Sequence, residues 1–158
     1  ARVESVRISK DIVNLLEESL YNLDTISQAD RDYRFADALD LVYKELERIR
    51  VAKERATELT DQLNKMAQAI AQITPVKAKN LALDAVSKEV ALLSHLIIYN
   101  DTLNSLLETL RYKFSGDIRY DAEDVQKLVS GLNQQAQEIN NLNNQFNEKI
   151  EEFDALVE

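Results

Sequence analysis

YRFADALDLVYKELERIRVAKERATELTDQLNKMAQAIAQI, residues 33–73, carries an apolar side chain at every seventh position: Phe35, Val42, Ile49, Ala56, Leu63 and Ile70. Leu39, Leu46, Leu59, Met66 and Ile73 stand between them. A 3.5-residue repeat held for about six heptads keeps one stripe of a helix apolar and predicts left-handed, coiled-coil-like packing. Opposite charges stand four apart on the other faces, as in Asp40 and Lys44, Arg50 and Glu54, and Asp61 and Lys65. Lys44, Arg48, Arg50, Lys53 and Arg55 are interleaved with Glu45, Glu47, Glu54 and Glu58, so they read as a solvated, salt-bridged face and not as a basic patch.

The flanking sequence repeats the pattern. Upstream, Val6, Val13 and Leu20 form one heptad series and Leu16 and Leu23 its companion, which predicts a helix over 3–28. Ala29-Asp30-Arg31-Asp32 ends it and offers two Asp side chains as caps for the helix over 33–73. Downstream, Thr74 is placed as an N-cap with Pro75 at the first helical position, where a missing N–H costs nothing. Val86, Leu93, Leu107 and Phe114 then predict a helix over 76–114, closed by Ser115-Gly116-Asp117. Asp121 caps a last helix over 121–157, marked by Val125, Leu132, Ile139, Phe146 and Phe153. Three short connections between amphipathic helices imply an all-α, elongated, antiparallel up-down-up-down four-helix bundle, one domain over 1–158 with both termini at one end. The segment from Leu20 to Leu46 resembles the middle of a tetratricopeptide hairpin, but no second copy follows, so no solenoid is expected.

Composition agrees. Two glycines and one proline in 158 residues leave room for few turns, and 45% apolar with 30% charged residues fits long helices. The net charge of −9 is concentrated near the C-terminus: residues 117–158 hold ten acids and three bases. Such a surface repels phosphate backbones and anionic bilayers, which argues against nucleic acid and direct membrane adsorption as partners. The most apolar window, Val90 to Tyr99, is half the roughly 20 residues a spanning helix needs.

Catalytic and cofactor chemistry is poorly provided for. No cysteine is present, and His95, the single histidine, is expected to face outward. A pair of Glu-x-x-His motifs, an HExxH helix and a glycine-rich phosphate loop all need residues this chain lacks. The expectation is therefore no enzyme, no catalytic residue, no metal and no cofactor.

The most unusual composition lies in the last helix, where NQQAQEINNLNNQFN, residues 133–147, holds ten carboxamides. At about 100° per residue, Asn143 and Gln135 fall within the apolar stripe centred on Ile139, while Asn140 and Asn147 border it and Asn144 points outward. Asn100 and Asn104 fall within the stripe of the third helix when Leu93 is its centre. Folding the chain at its turns brings Asn100 level with Gln135 to within about one turn, which predicts a hydrogen bond between them. Asn100, Asn104, Gln135 and Asn143 are thus candidates for a polar core layer that fixes register or holds a small polar ligand. Asn140, Asn144 and Asn147 are candidates for an exposed interaction face.

The reading that follows is a non-enzymatic structural or protein-interaction module with a protein partner. The alternative is a sensory or small-ligand-binding bundle, tethered to a membrane by flanking segments on its extracytoplasmic side, as termini at one end would suit.

Overall fold

The computed structural model describes residues 2–157. Four helices account for nearly all of them: α1 (Arg2–Arg31), α2 (Phe35–Ile70), α3 (Val76–Ser115) and α4 (Ala122–Val157). Cross-helix pairs fix the directions. Asn22 meets Glu45, and Asp11 meets Arg55, so α1 and α2 are antiparallel. His95 meets Gln135, so α4 runs back along α3 at that level. Ser5 meets Glu89, Ser19 meets Tyr99 and Asp30 meets Lys113, so α1 and α3 run in the same direction at a nearly constant offset. This is the up-down-up-down four-helix bundle that the heptads imply.

Local sequence sets the turns, with three departures from expectation. Tyr33 adopts φ 58°, and the Arg34 and Tyr33 amides donate to the Ala29 and Asp30 carbonyls at 2.9 and 3.0 Å. That left-handed closure satisfies the end of α1 and lets it run to Arg31, past the expected stop. Consequently Asp30 and Asp32 do not cap α2: Asp30 accepts from Lys113 Nζ at 2.7 Å, Asp32 accepts from Gln28 Nε2 at 3.2 Å, and Arg34 takes the cap position without a side-chain bond. Thr74 does not cap α3 either, because Pro75 itself, extended at ψ 166° after a cis peptide bond, occupies that position. The α3 to α4 turn forms as its residues dictate: Gly116 takes φ 72°, and Asp117 N–H donates to the Tyr112 carbonyl at 2.8 Å. Asp121 Oδ1 accepts from Glu123 N–H at 2.9 Å at the start of α4.

The core is one continuous cluster drawn from all four helices, with Ile8, Ile12 and Leu16 facing Leu59 and Leu63, Leu92, Leu96 and Leu103, and Ile139. Each such side chain contributes about 1.5 to 3 kcal/mol by leaving water. α3 is the central helix, packed along both α2 and α4, while α1 touches all three neighbours more lightly. Burial on several sides accounts for Leu92, Leu93, Leu96 and Tyr99 in the apolar stretch 90–99, whereas Val90 and Ile98 are exposed. No helix among the described residues is long and apolar enough to cross a membrane.

The stripe that α1 buries is not the expected one. Val6 and Val13 are half-buried and Leu20 is 40% exposed, whereas Ser5, Ile12, Ser19 and Ile26 are buried at the same sevenfold spacing. Serines at two of these four seam positions disguise the stripe as polar. The helix is therefore turned one position, about 100°, from the orientation its apolar pattern suggests.

Candidate functional site

Because serine and asparagine face inward on α1, each needs a partner from another helix, and each finds one. Ser9 Oγ donates to Asn143 Oδ1 on α4 at 2.6 Å. The Ser19 and Tyr99 hydroxyls meet at 3.0 Å, and burial pushes the Tyr99 phenol above its usual range. Asn22 Nδ2 donates to Glu45 Oε2 at 2.7 Å, and Arg48 Nε donates to the same carboxylate at 2.9 Å. Ser5 Oγ donates to Glu89 Oε1. α1 is thus held to all three neighbours by polar pairs, each worth a modest 0.5 to 1.5 kcal/mol or so net, more where a charge takes part.

Glu89 differs from the others. It is 0% exposed, its Oε2 has no partner, and burial pushes its carboxyl up to about 8, with Ser5 opposing that rise and Glu4 adding to it. Glu45, equally deep, has the Arg48 guanidinium beside it. The sequence signal for Glu89 is its place in the sevenfold series with Leu96, Leu103 and Leu110.

The amides are arranged differently from the predicted layer. Asn100 is buried at 5% exposure, but its Nδ2 has no partner and it does not meet Gln135. Gln135 is half-buried and its Oε1 lies 2.8 Å from His95 Nδ1, so His95 points toward α4 and not outward. Asn104 is exposed. The α3 stripe is centred nearer Leu103 than Leu93, which turns Asn104 about 100° away from the core. Asn143 is half-buried on Ser9, and Asn140, Asn144 and Asn147 are all exposed on α4. The four candidate core amides therefore do not converge on one point.

A cavity lies elsewhere, where the C-terminal half of α1 stands away from the start of α4. It encloses about 370 Å³. Leu20 and Leu23 of α1, Leu110 and Phe114 of α3, and Val125 and Val129 of α4 form apolar walls. The turned α1 explains it, because Leu20 and Leu23 fall beside this gap instead of filling the centre. Asp24, Ser27, Asp30 and Asn133 add polar groups. Asp30 is neutralised by Lys113 at 2.7 Å, whereas Asp24 is exposed and makes no ion pair among the described residues. Phe35 stacks on Phe114 at 5.9 Å between ring centroids, linking the wall to the α1 to α2 turn.

Among the described residues no group of three His, Cys, Asp or Glu side chains is placed to hold a metal ion. No family model, curated protein or solved structure matches this chain.

Proposed function

We propose that the chain is a non-enzymatic structural and protein-interaction module whose docking surface is the cavity between α1, α3 and α4. The partner we infer is an amphipathic helix that carries Lys or Arg beside apolar residues. The cavity carries this reading: its walls are apolar, it opens between two helices, and its one free charge is the Asp24 carboxylate. Glu123 and Asp124 in the first turn of α4, next to the lining residue Val125, extend the negative character. Helix-in-groove recognition reads apolar anchors at one face of the guest, and acidic rims steer and orient a basic one. The exposed edge of Asn140, Asn144 and Asn147 supplies hydrogen-bonding groups farther along α4 for a longer partner.

A labelled Leu/Lys amphipathic helical peptide should bind, a Leu/Glu peptide of the same pattern should not, and Val129→Glu should abolish binding while leaving the helical signal intact. Equal binding to wild type and Val129→Glu would sink the reading. The alternative, a small-ligand-binding bundle, is favoured by the volume, which falls in the range of small-molecule sites. A thermal shift with apolar amines that Val129→Glu removes, in the absence of any peptide binding, would select it.

A further inference from the structure

We propose that Glu89 is a proton-operated latch for α1: its neutral carboxyl holds the N-terminal part of α1 in place, and loss of the proton releases that part. Glu89 lies on α3 and is wholly shielded from solvent, and its one hydrogen-bond partner, Ser5, belongs to a different helix. Its second carboxyl oxygen has no partner. A neutral carboxyl tolerates such a site at moderate cost, whereas a carboxylate there has one hydroxyl as its compensation and no counter-charge.

Beyond the Ser5 hydroxyl, the surroundings offer an ionised Glu89 nothing. From α1 the charged group whose field reaches it is Glu4, itself hydrogen-bonded to Arg7, and that field opposes ionisation. From α2 and α4 the residues gathered around Ser5 are apolar, Met66 and Ile70 on one side and Ile150 and Phe153 on the other, about a cavity of 50 Å³. Water is the one available remedy, and the element that can yield to admit it is α1. α3 is packed along both α2 and α4, while α1 has the lighter packing, and its first turn, ahead of the core residues Ile8 and Ile12, is joined to α3 through Ser5. The burial of Glu89 places its titration near pH 8, so the latch opens on the alkaline side of neutrality. It acts at the opposite end of α1 from the Leu20 cavity and does not depend on what docks there.

Two introduced cysteines can report the movement, since the chain has none of its own. Val3→Cys on α1 and Glu148→Cys on α4 are both exposed and lie just beyond the Ser9 to Asn143 contact. Spin labels at these sites should give one narrow distance distribution at pH 6.5. At pH 9.5 a second, longer population should appear, with its midpoint near pH 8, and Glu89→Gln should stay narrow at both. An unchanged distribution at pH 9.5, or opening of the Gln variant at the same pH, would overturn the latch. If the Gln variant does not fold, carbon-13 titration of the glutamate carboxyls in the wild-type bundle decides. A Glu89 carboxyl that titrates in step with the distance change supports the latch, and one that titrates out of step overturns it.

Discussion

His95 Nδ1 and Gln135 Oε1 lie 2.8 Å apart across the α3 to α4 interface, five residues along α3 from the pairing with Asn100 that a symmetrical hairpin would give. The displacement originates in the connection. Residues 117–120 double back on the end of α3, with Arg119 4.3 Å from the Tyr112 ring and Lys113 5.8 Å from the Tyr120 ring. The start of α4 is thereby drawn down α3, and Gln135 meets His95 instead of Asn100.

If this pair helps to set register, its two residues are energetically coupled. A double-mutant cycle with His95→Leu and Gln135→Leu should give a coupling energy of about 0.5 to 1.5 kcal/mol in urea unfolding, with the double variant less destabilised than the sum of the singles. Additive losses would show that the contact carries no register information.

Asn100 is left with a buried amide nitrogen that bonds to nothing. An orphaned buried donor costs roughly 1 to 3 kcal/mol, and leucine at that position adds apolar burial. Asn100→Leu should therefore raise stability by at least about 1 kcal/mol, seen as a higher denaturation midpoint. A lower midpoint would mean that the amide has a partner in solution.

The same residues show how far sequence reaches. Helix number, order and direction follow from the heptads of α2 and α4 and from Gly116 and Pro75, because the 3.5-residue repeat and the special backbone of these two residues are local properties. What stays hidden depends on which stripe a helix buries. On α1 the seam alternates Ser5, Ile12, Ser19 and Ile26, so the apolar series Val6, Val13 and Leu20 looks stronger although it is the less buried one. The position of the cavity beside Leu20 and the pairing of Ser5 with Glu89 both follow from that one rotation. Neither is legible without knowing what the other helices present.

Gly131 lies within α4, where glycine costs about 0.5 to 1 kcal/mol relative to alanine. A Cβ built there would meet Thr102 Cγ2 at 3.7 Å, an ordinary van der Waals contact. Gly131→Ala should thus recover most of that cost as stability in thermal or urea melts. Destabilisation would show that α3 and α4 approach more closely here than these distances allow.

Tyr33 holds φ 58° at the end of α1, a conformation that disfavours any side chain with a Cβ by about 1 to 2 kcal/mol. Glycine removes this strain but loses more freedom on folding, and the edge-on contact of Tyr33 with Phe35 at 6.0 Å disappears. The backbone terms alone favour Tyr33→Gly by roughly 0.5 to 1 kcal/mol, before the ring contact is subtracted. A lower melting temperature in this variant would assign the ring contact more weight than the backbone.

Glu89 also makes global stability depend on pH, with a definite sign. Its carboxyl titrates at about 8 in the folded bundle, against 4.5 for the ordinary group. Between these values the folded state keeps a proton that the unfolded chain has released. Stability is therefore full below 4.5 and falls as pH rises, on the order of 1.4 kcal/mol per pH unit, until the folded-state group itself ionises. Glu89→Gln has no proton to lose, so subtracting its urea-unfolding free energies from those of the wild type isolates this one group from His95 and the remaining carboxylates. That difference should decline steadily from pH 5 to pH 8 and level off above. A difference that stays constant across the interval would show that Glu89 is already ionised in the folded bundle, and that a charge is compensated at the centre of these helices by water reaching Oε2.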